Sequence, residues 1–387
     1  MISTWPMYDA EEAQAVQKVL LSNKVNYWTG EECKHFENEF AEWTGSKYAV
    51  SLANGTVALE VALKALGVQP GDEVVTTPRT FLASASSIVA VGARPVFADV
   101  DLNSQAITAE TIKEVLSPKT KAVIVVHLAG MPAEMDDIMN LSRERGFYVV
   151  EDCAQAHGAK YKGRSVGTIG HIGAWSFCQD KIITTGGEGG MVTTNDGQFW
   201  SFIWSYKDHG KSYDAIYNRE HSSGFRWLHE SFGTNWRMTE IQAAIGRIQL
   251  RRMSDWSAKR RENAAQIDAA VKDLPVVRSV KVPEYSVHAE YKHYLFLNRS
   301  CLAESWTRDR IVEAIVESGV PAYQGSCSEV YLEKAFDNTP FKPSKRLPNA
   351  VELGETSLMF LVHPTLTNEE VRKTCEVVRK VLLAASA

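Results

Sequence analysis

The stretch AVIVVHLAGMPAEMDDIMNLSRERGFYVVED, residues 122–152, decides the fold. Val123 to Val126 and Phe147 to Val150 are continuous runs of β-branched and aromatic residues, the pattern of a strand covered on both faces. Between them Met135 to Arg145 reads as a helix. Strand, helix, strand is a βα unit, and strands of this kind belong at the centre of a parallel sheet. Working outward, the same alternation fills Lys47 to Glu151: YAVSL (48–52), TVALEVALKAL (56–66) ending at Gly67, EVVTT (73–77), a helix over Thr80 to Val91, PVFADV (95–100) and a helix over Thr111 to Leu116. The fold class is therefore α/β, with a mainly parallel central sheet flanked by helices.

The ends of the chain frame this unit. Asp9, with Glu12 three positions later, opens an amphipathic surface helix. After Gly246 come a long charged helical stretch (Ile248 to Lys272), a β-like run (Tyr291 to Leu297), a helix (Arg308 to Ser318) and a closing helix (Asn368 to Leu383). The expected division is a large domain over residues 1–246 and a smaller C-terminal α/β domain over residues 247–387. No internal repeat or low-complexity tract interrupts either part.

With 387 residues, 44% of them hydrophobic, the chain can build one large and one smaller core. A formal net charge of −5 offers no general attraction to a polyanion, so neither nucleic acid nor an anionic membrane is an expected partner. No window approaches the roughly 18 apolar residues of a spanning helix, and Met1 to Glu12 lacks the pattern of a leader. A cytoplasmic protein acting on small molecules is expected. The six cysteines are scattered, without a CxxC pair or a Cys/His cluster at zinc-ligand spacing, so free thiols and no metal are expected.

In open sheets of this class the ligand sits beyond the carboxyl ends of the strands. Asn54, His127, Glu151 and Asp152 occupy such places, and three short stretches there carry chemistry. Asn54-Gly55-Thr56 lies between a strand and a helix start, where backbone N–H groups and a hydroxyl make a phosphate site or, more plainly, a turn and N-cap. EDCAQAHG (151–158) follows the buried strand. Its Asp152 either pairs with a protonated pyridine nitrogen, keeping the ring able to hold a carbanion, or caps the next helix. Ser176 to Lys181 (SFCQDK) precedes the glycine-rich TTGGEGG. A lysine here approaches the middle of the sheet with little crowding, and burial near other cations makes it a nucleophilic amine. A solvated surface lysine would sit poorly between the apolar AWSF and those glycines.

With NGTVAL, TFLASA, GARPVFADVD, HLAGMPAEMD, EDCAQAHGA, SVGTIGHIG, SF before Lys181, TTGGEGG and TNWRMTEIQAA in this order, the chain resembles the DegT/DnrJ/EryC1 family of fold-type-I pyridoxal-phosphate enzymes. Most members are sugar aminotransferases. The resemblance spans nearly the whole chain, to HPTLTNEE (363–370). It implies that Lys181 holds pyridoxal 5'-phosphate as a Schiff base and later moves the proton, and that Asp152 pairs with the ring nitrogen. It further implies that Phe81 and Ala154 lie on the two ring faces, that Gln155 approaches the ring hydroxyl, and that Gly55, Thr56 and Ser176 bind the phosphate. Asn235 falls where the family supplies a residue to the neighbouring subunit's phosphate site, so a homodimer with shared sites is implied.

The activity implied is transfer of an amino group from L-glutamate, through pyridoxamine phosphate, to a nucleotide-linked 4-keto-6-deoxy or 3-keto sugar, in surface-polysaccharide or glycoside synthesis. His157, His209 and Tyr323 are candidate substrate contacts. For His157, orienting Asp152 or contacting substrate is preferred to the alternative of merely filling space. Trp227, Phe232 and Trp236 either border the sugar-nucleotide cleft or pack an interface. Cys178 stands where the family often has His, two glycines stand where it often has one, and the loop YQGSCSEVY (323–331) lacks the usual Pro-Leu-His type of sequence. Three rival readings are a sugar dehydratase, in which His replaces the lysine; an aminotransferase for a cyclitol ketone such as an inosose; and a catalytically silent sensor.

Overall fold

The computed structural model describes residues 2–387. Strands β1 (Tyr48–Leu52), β2 (Glu73–Thr76), β3 (Arg94–Phe97), β4 (Thr120–Val126) and β5 (Tyr148–Asp152) lead into a two-stranded excursion, β6 (Lys160–Tyr161) and β7 (Arg164–Ser165), before β8 (Ile172–Ser176) and β9 (Gly190–Thr194). The seven longer strands form one sheet in the order β1-β9-β8-β5-β4-β2-β3. Its pairs are parallel except those of β9, which runs antiparallel to both β1 and β8. Of the two strands expected at the centre, β5 is the fourth of seven and β4 the fifth.

Why the middle strands read as continuous apolar runs is plain from their two faces. Side chains alternate along a strand. Ile124 and Val126 of β4 join Val150 of β5 and the helix Gly55–Ala65 in one apolar cluster. Val123 and Val125 join Val149 and the helix Met135–Arg145 in another. Helices cover both faces, and the strand ends are the places left for a ligand.

The helix Glu240–Val271 packs its first half on the helices Ala10–Leu21 and Glu32–Thr44 and later meets the closing helix Asn368–Ala385. It is unbroken through residues 246 and 247, where the sequence suggests a division. The C-terminal part holds β10 (Val277–Ser279), β12 (His293–Leu297), β13 (Ala322–Tyr323) and β14 (Ser357–Phe360), ordered β10-β12-β14-β13, while β11 (Ser286–Val287) pairs back onto β6.

Several boundaries move relative to the sequence reading, and the long helix begins at Glu240, eight residues before the expected Ile248. β12 begins at His293, two residues later than expected, because Tyr291 donates its amide to the Ala129 carbonyl and leaves the ladder. The helix after β2 spans Ala83–Ala90, which leaves Phe81 outside it. The helix Ala109–Lys113 starts earlier than Thr111 because Thr108 and Thr111 form a reciprocal cap.

Candidate active site

Glu151 and Asp152 close strand β5, and the structure gives these neighbours opposite surroundings. Glu151 takes hydrogen bonds from the amides of Gly167 (2.8 Å), Ile169 (2.8 Å) and Gly170 (2.6 Å), and lies 2.9 Å from His127 Nε2. Burial pushes its pKa up, but these bonds outweigh burial and hold it below the usual carboxylate range. Its capacity is spent on the turn that follows the strand. Asp152 receives only the Ser84 hydroxyl (2.8 Å) and the Ala154 amide (3.1 Å). Burial raises its pKa, opposed by those bonds and by the positive charge of Lys181. A buried carboxylate this sparsely matched suits a cationic partner.

Beyond β1, Asn54 caps the helix Gly55–Ala65 by accepting the Val57 amide at 3.0 Å. The amides of Gly55 and Thr56, ahead of it, belong to the first turn, where N–H groups lack helical acceptors. Ser176 ends β8 against this turn. A Cβ on Gly55 would lie 2.6 Å from the Ser176 Cβ, and one on Gly190 would lie 2.3 Å from the Asn54 carbonyl oxygen. Helix start and strand end therefore meet in a narrow seat where only glycine fits, of the size and polarity that suits a phosphate.

Lys181 stands in the loop after β8. Its side chain is half-buried, with Nζ 3.8 Å from Asp180 Oδ1 and 5.0 Å from the centroid of the Tyr291 ring. Its carbonyl accepts the Trp5 indole N–H at 2.8 Å. Phe81 is 71% exposed, a large apolar ring presented at the mouth of the site with no protein cover. Ala154 is half-buried beside Asp152.

Gln155 Oε1 accepts the Ala129 amide N–H at 2.7 Å, which fixes its side chain against the turn after β4. His157 is fully buried between Trp175 and Phe177, with both ring nitrogens unpartnered, and burial holds its pKa down at about 3. The ring is enclosed between these aromatics and presents no free edge to solvent. His209 is exposed, with its amide bonded to the Thr234 carbonyl. Tyr323 is exposed on edge strand β13; from the loop after it, the Cys327 carbonyl accepts the Thr80 amide, next to Phe81. Asn235 is exposed, bridged to Asp208. The sequence reading missed Trp5, Tyr291, Lys292 and Arg260, which cluster around Lys181. Arg260 lies in the charged run SAKRREN, where nothing separates the buried cation from its solvated neighbours.

The sequence profile of the DegT/DnrJ/EryC1/StrS aminotransferase family matches residues 6–379. The chain belongs to this family. It is 35% identical over 379 residues to the GDP-perosamine synthase of Escherichia coli O157:H7, covering 97% of this chain and 96% of that one. It is 30% identical over 371 residues to the dTDP-3-amino-3,4,6-trideoxy-alpha-D-glucose transaminase of Streptomyces venezuelae, covering 96% and 92%. The X-ray structure of an aminotransferase from Psychrobacter cryohalolentis superimposes with a TM-score of 0.98 at 58% identity, covering 100% of both chains.

As a member of this family the chain is a pyridoxal-phosphate-dependent aminotransferase, and its residues fit that cofactor. The glycine-walled seat at Gly55 and Ser176 matches a phosphate, the under-matched Asp152 a protonated ring nitrogen, and the uncovered Phe81 ring a flat aromatic ligand. When bound, the cofactor supplies a ring that draws off the charge left on the substrate carbon as its proton departs. Among the described residues no helix is long and apolar enough to cross a membrane.

Proposed function

We propose that this aminotransferase moves the amino group of L-glutamate to the keto carbon of a nucleotide-linked sugar, either a 4-keto-6-deoxy or a 3-keto sugar. The observation that carries the reading is Lys181, a half-buried amine acting on the buried carboxylate of Asp152. Lys181 holds the cofactor at rest, is freed when the amino donor takes its place, and then moves the proton at the substrate carbon. Asp152 keeps a proton on the ring nitrogen. Gly55, Thr56 and Ser176 hold the phosphate so that the ring stays fixed through both halves of the reaction. The donor leaves as its keto acid, and the sugar's keto oxygen leaves as water.

The sugar-nucleotide acceptor is supported by the names of the two curated relatives, each covered over more than nine-tenths of its length. The retained Lys181 speaks against the dehydratase reading. We further propose a homodimer with shared sites. Phe225, Trp227 and Phe232 are exposed aromatic rings on the same irregular segment as Asn235, residues 218–239, and Phe232 is wholly uncovered. Apolar surface of this kind is buried by a partner.

The test is a panel of UDP-, dTDP- and GDP-linked keto sugars incubated with enzyme and L-glutamate and read by mass spectrometry. Exchange of oxygen for an amino group on one panel member supports the reading. An inosose aminated in place of every nucleotide sugar would overturn it.

A further inference from the structure

Two arginines are buried almost completely among the described residues, and they differ in one respect. Arg79 spends its guanidinium on side-chain oxygens: Nε on Gln105 (3.0 Å), Nη1 on Ser328 (2.8 Å) and Nη2 on Ser357 (3.2 Å). Arg260 reaches only two backbone carbonyls through Nη1, those of Glu290 (3.4 Å) and Tyr291 (3.3 Å). Its Nε and Nη2 have no partner. These two nitrogens form one edge of the guanidinium, the fork that matches a carboxylate side-on. Burial, against the opposing pull of Tyr291 and Glu290, brings the pKa of Arg260 down to about 9, and a bound anion would raise it again.

The surroundings are rich in positive charge. Lys181 Nζ and Lys292 Nζ each lie 5.0 Å from the centroid of the Tyr291 ring. The Tyr291 hydroxyl donates to Asp180. The neighbouring Glu290 carboxylate is already matched to His293. Burial and the nearby Arg260 and Lys181, against the pull of Asp180, bring the pKa of Lys292 down to about 8. Asp152 answers Lys181 and Glu290 is shared with His293, which leaves Arg260 and Lys292 with Asp180 as the remaining nearby acid, and burying unbalanced charge is costly.

Position ties this charge to the reacting centre. Ala289 donates its amide to the Gly130 carbonyl, and Tyr291 donates to the Ala129 carbonyl. Ala129 is itself bonded to Gln155. Arg260 and Lys292 thus stand on the Gln155 and Lys181 side of the site, built from other elements than the phosphate seat at Gly55 and Ser176.

We propose that Arg260 and Lys292 seat a carboxylate of the amino donor, Arg260 through its Nε and Nη2 edge and Lys292 as a second point charge. The inference rests on the aminotransferase reading above and assigns its donor side. The N-terminal arm roofs the seat. The Trp5 ring lies 5.0 Å from the guanidinium, and Ser3 and Thr4 are held by Glu370 and Thr365. This arm is the element that gives way when the donor enters.

The experiment titrates the cofactor-loaded enzyme with glutarate, a dicarboxylate without an amine, by calorimetry, and follows the cofactor spectrum on adding L-glutamate. Arg260→Gln, Arg260→Lys and Lys292→Met are compared with wild type. Arg260→Gln is expected to weaken glutarate about tenfold or more, Lys292→Met severalfold, and Arg260→Lys to fall between, each with the cofactor retained. Wild-type glutarate affinity in the variants overturns the seat, as does a wild-type enzyme that binds no glutarate. If Arg260→Gln does not fold, the half-buried Lys292→Met decides alone. A seat that needs Arg260 in an enzyme whose spectrum ignores L-glutamate would keep the seat and overturn the glutamate donor.

Discussion

The helix that begins at Gly55 touches the last residue of strand β8: a Cβ on Gly55 would meet the Ser176 Cβ at 2.6 Å. That contact sets the width of the phosphate seat. Gly55→Ala must push the helix start away from Ser176, an overpacking cost of about 1–3 kcal/mol. The expected result is cofactor affinity lowered about 10- to 100-fold, measured by equilibrium titration of the cofactor-free protein. Unchanged affinity would mean that the seat lies elsewhere.

Asp152→Asn separates binding from stability. Burial raises the pKa of Asp152 above its unfolded value. Between those two values the folded, cofactor-free chain keeps a proton that the unfolded chain has lost, so stability falls as pH rises through that window, and the penalty is complete above it. Asparagine carries no such penalty. The cofactor-free variant should melt roughly 2 °C higher than wild type at neutral pH, while the loaded variant should lose about a hundredfold in the donor half-reaction rate. Lower stability in the cofactor-free variant would contradict the assignment of Asp152 as a charge awaiting its partner.

A second pH dependence lies outside the site. Burial pulls the pKa of His293 down, but hydrogen bonds to Asp268 and Glu290 prevail and bring it to about 10. A raised histidine contributes fully below its unfolded pKa, and the contribution is lost as pH rises through the folded value. Wild-type stability should therefore decline between neutral pH and about pH 10 more steeply than that of His293→Asn. Breaking the pair should cost roughly 3 kcal/mol at neutral pH, toward the lower end because Asp268 is partly exposed. Denaturant titrations across pH would read both.

A shared site predicts complementation between damaged subunits. Lys181→Ala removes the amine and Asn235→Ala the partner's phosphate contact. Each alone should be weak or dead. Mixed and allowed to exchange subunits, they form dimers in which one site has both native residues, and activity should rise above either parent. No gain after confirmed exchange would place Asn235 and Lys181 in the same subunit's site.

What could be read beforehand followed from periodicity and local chemistry. The runs at Val123 to Val126 and Phe147 to Val150 announce strands buried on both faces, and Asp9 with Glu12 announces a capped helix that the structure contains. At Asp152 the strand end alone left two readings, a partner for a ring nitrogen or a helix cap, and only its company with Asn54-Gly55-Thr56 and Lys181 favoured the first. Arg260 and Lys292 were not legible. A cation's burial depends on what packs over it from far along the chain, here Trp5 and the strap at Ala289–Tyr291, and no local pattern carries that information. The run from Tyr291 to Leu297 looked like one strand for the same reason, since the bond from Tyr291 to Ala129 joins residues far apart in sequence.

One amine must hold the cofactor, and two lysines flank Tyr291. Borohydride reduction of the cofactor-loaded enzyme, followed by peptide mass mapping, distinguishes them. The predicted result is a single pyridoxyl group on Lys181. A label on Lys292 or any other lysine, or no label on a protein that has retained its cofactor, would contradict it.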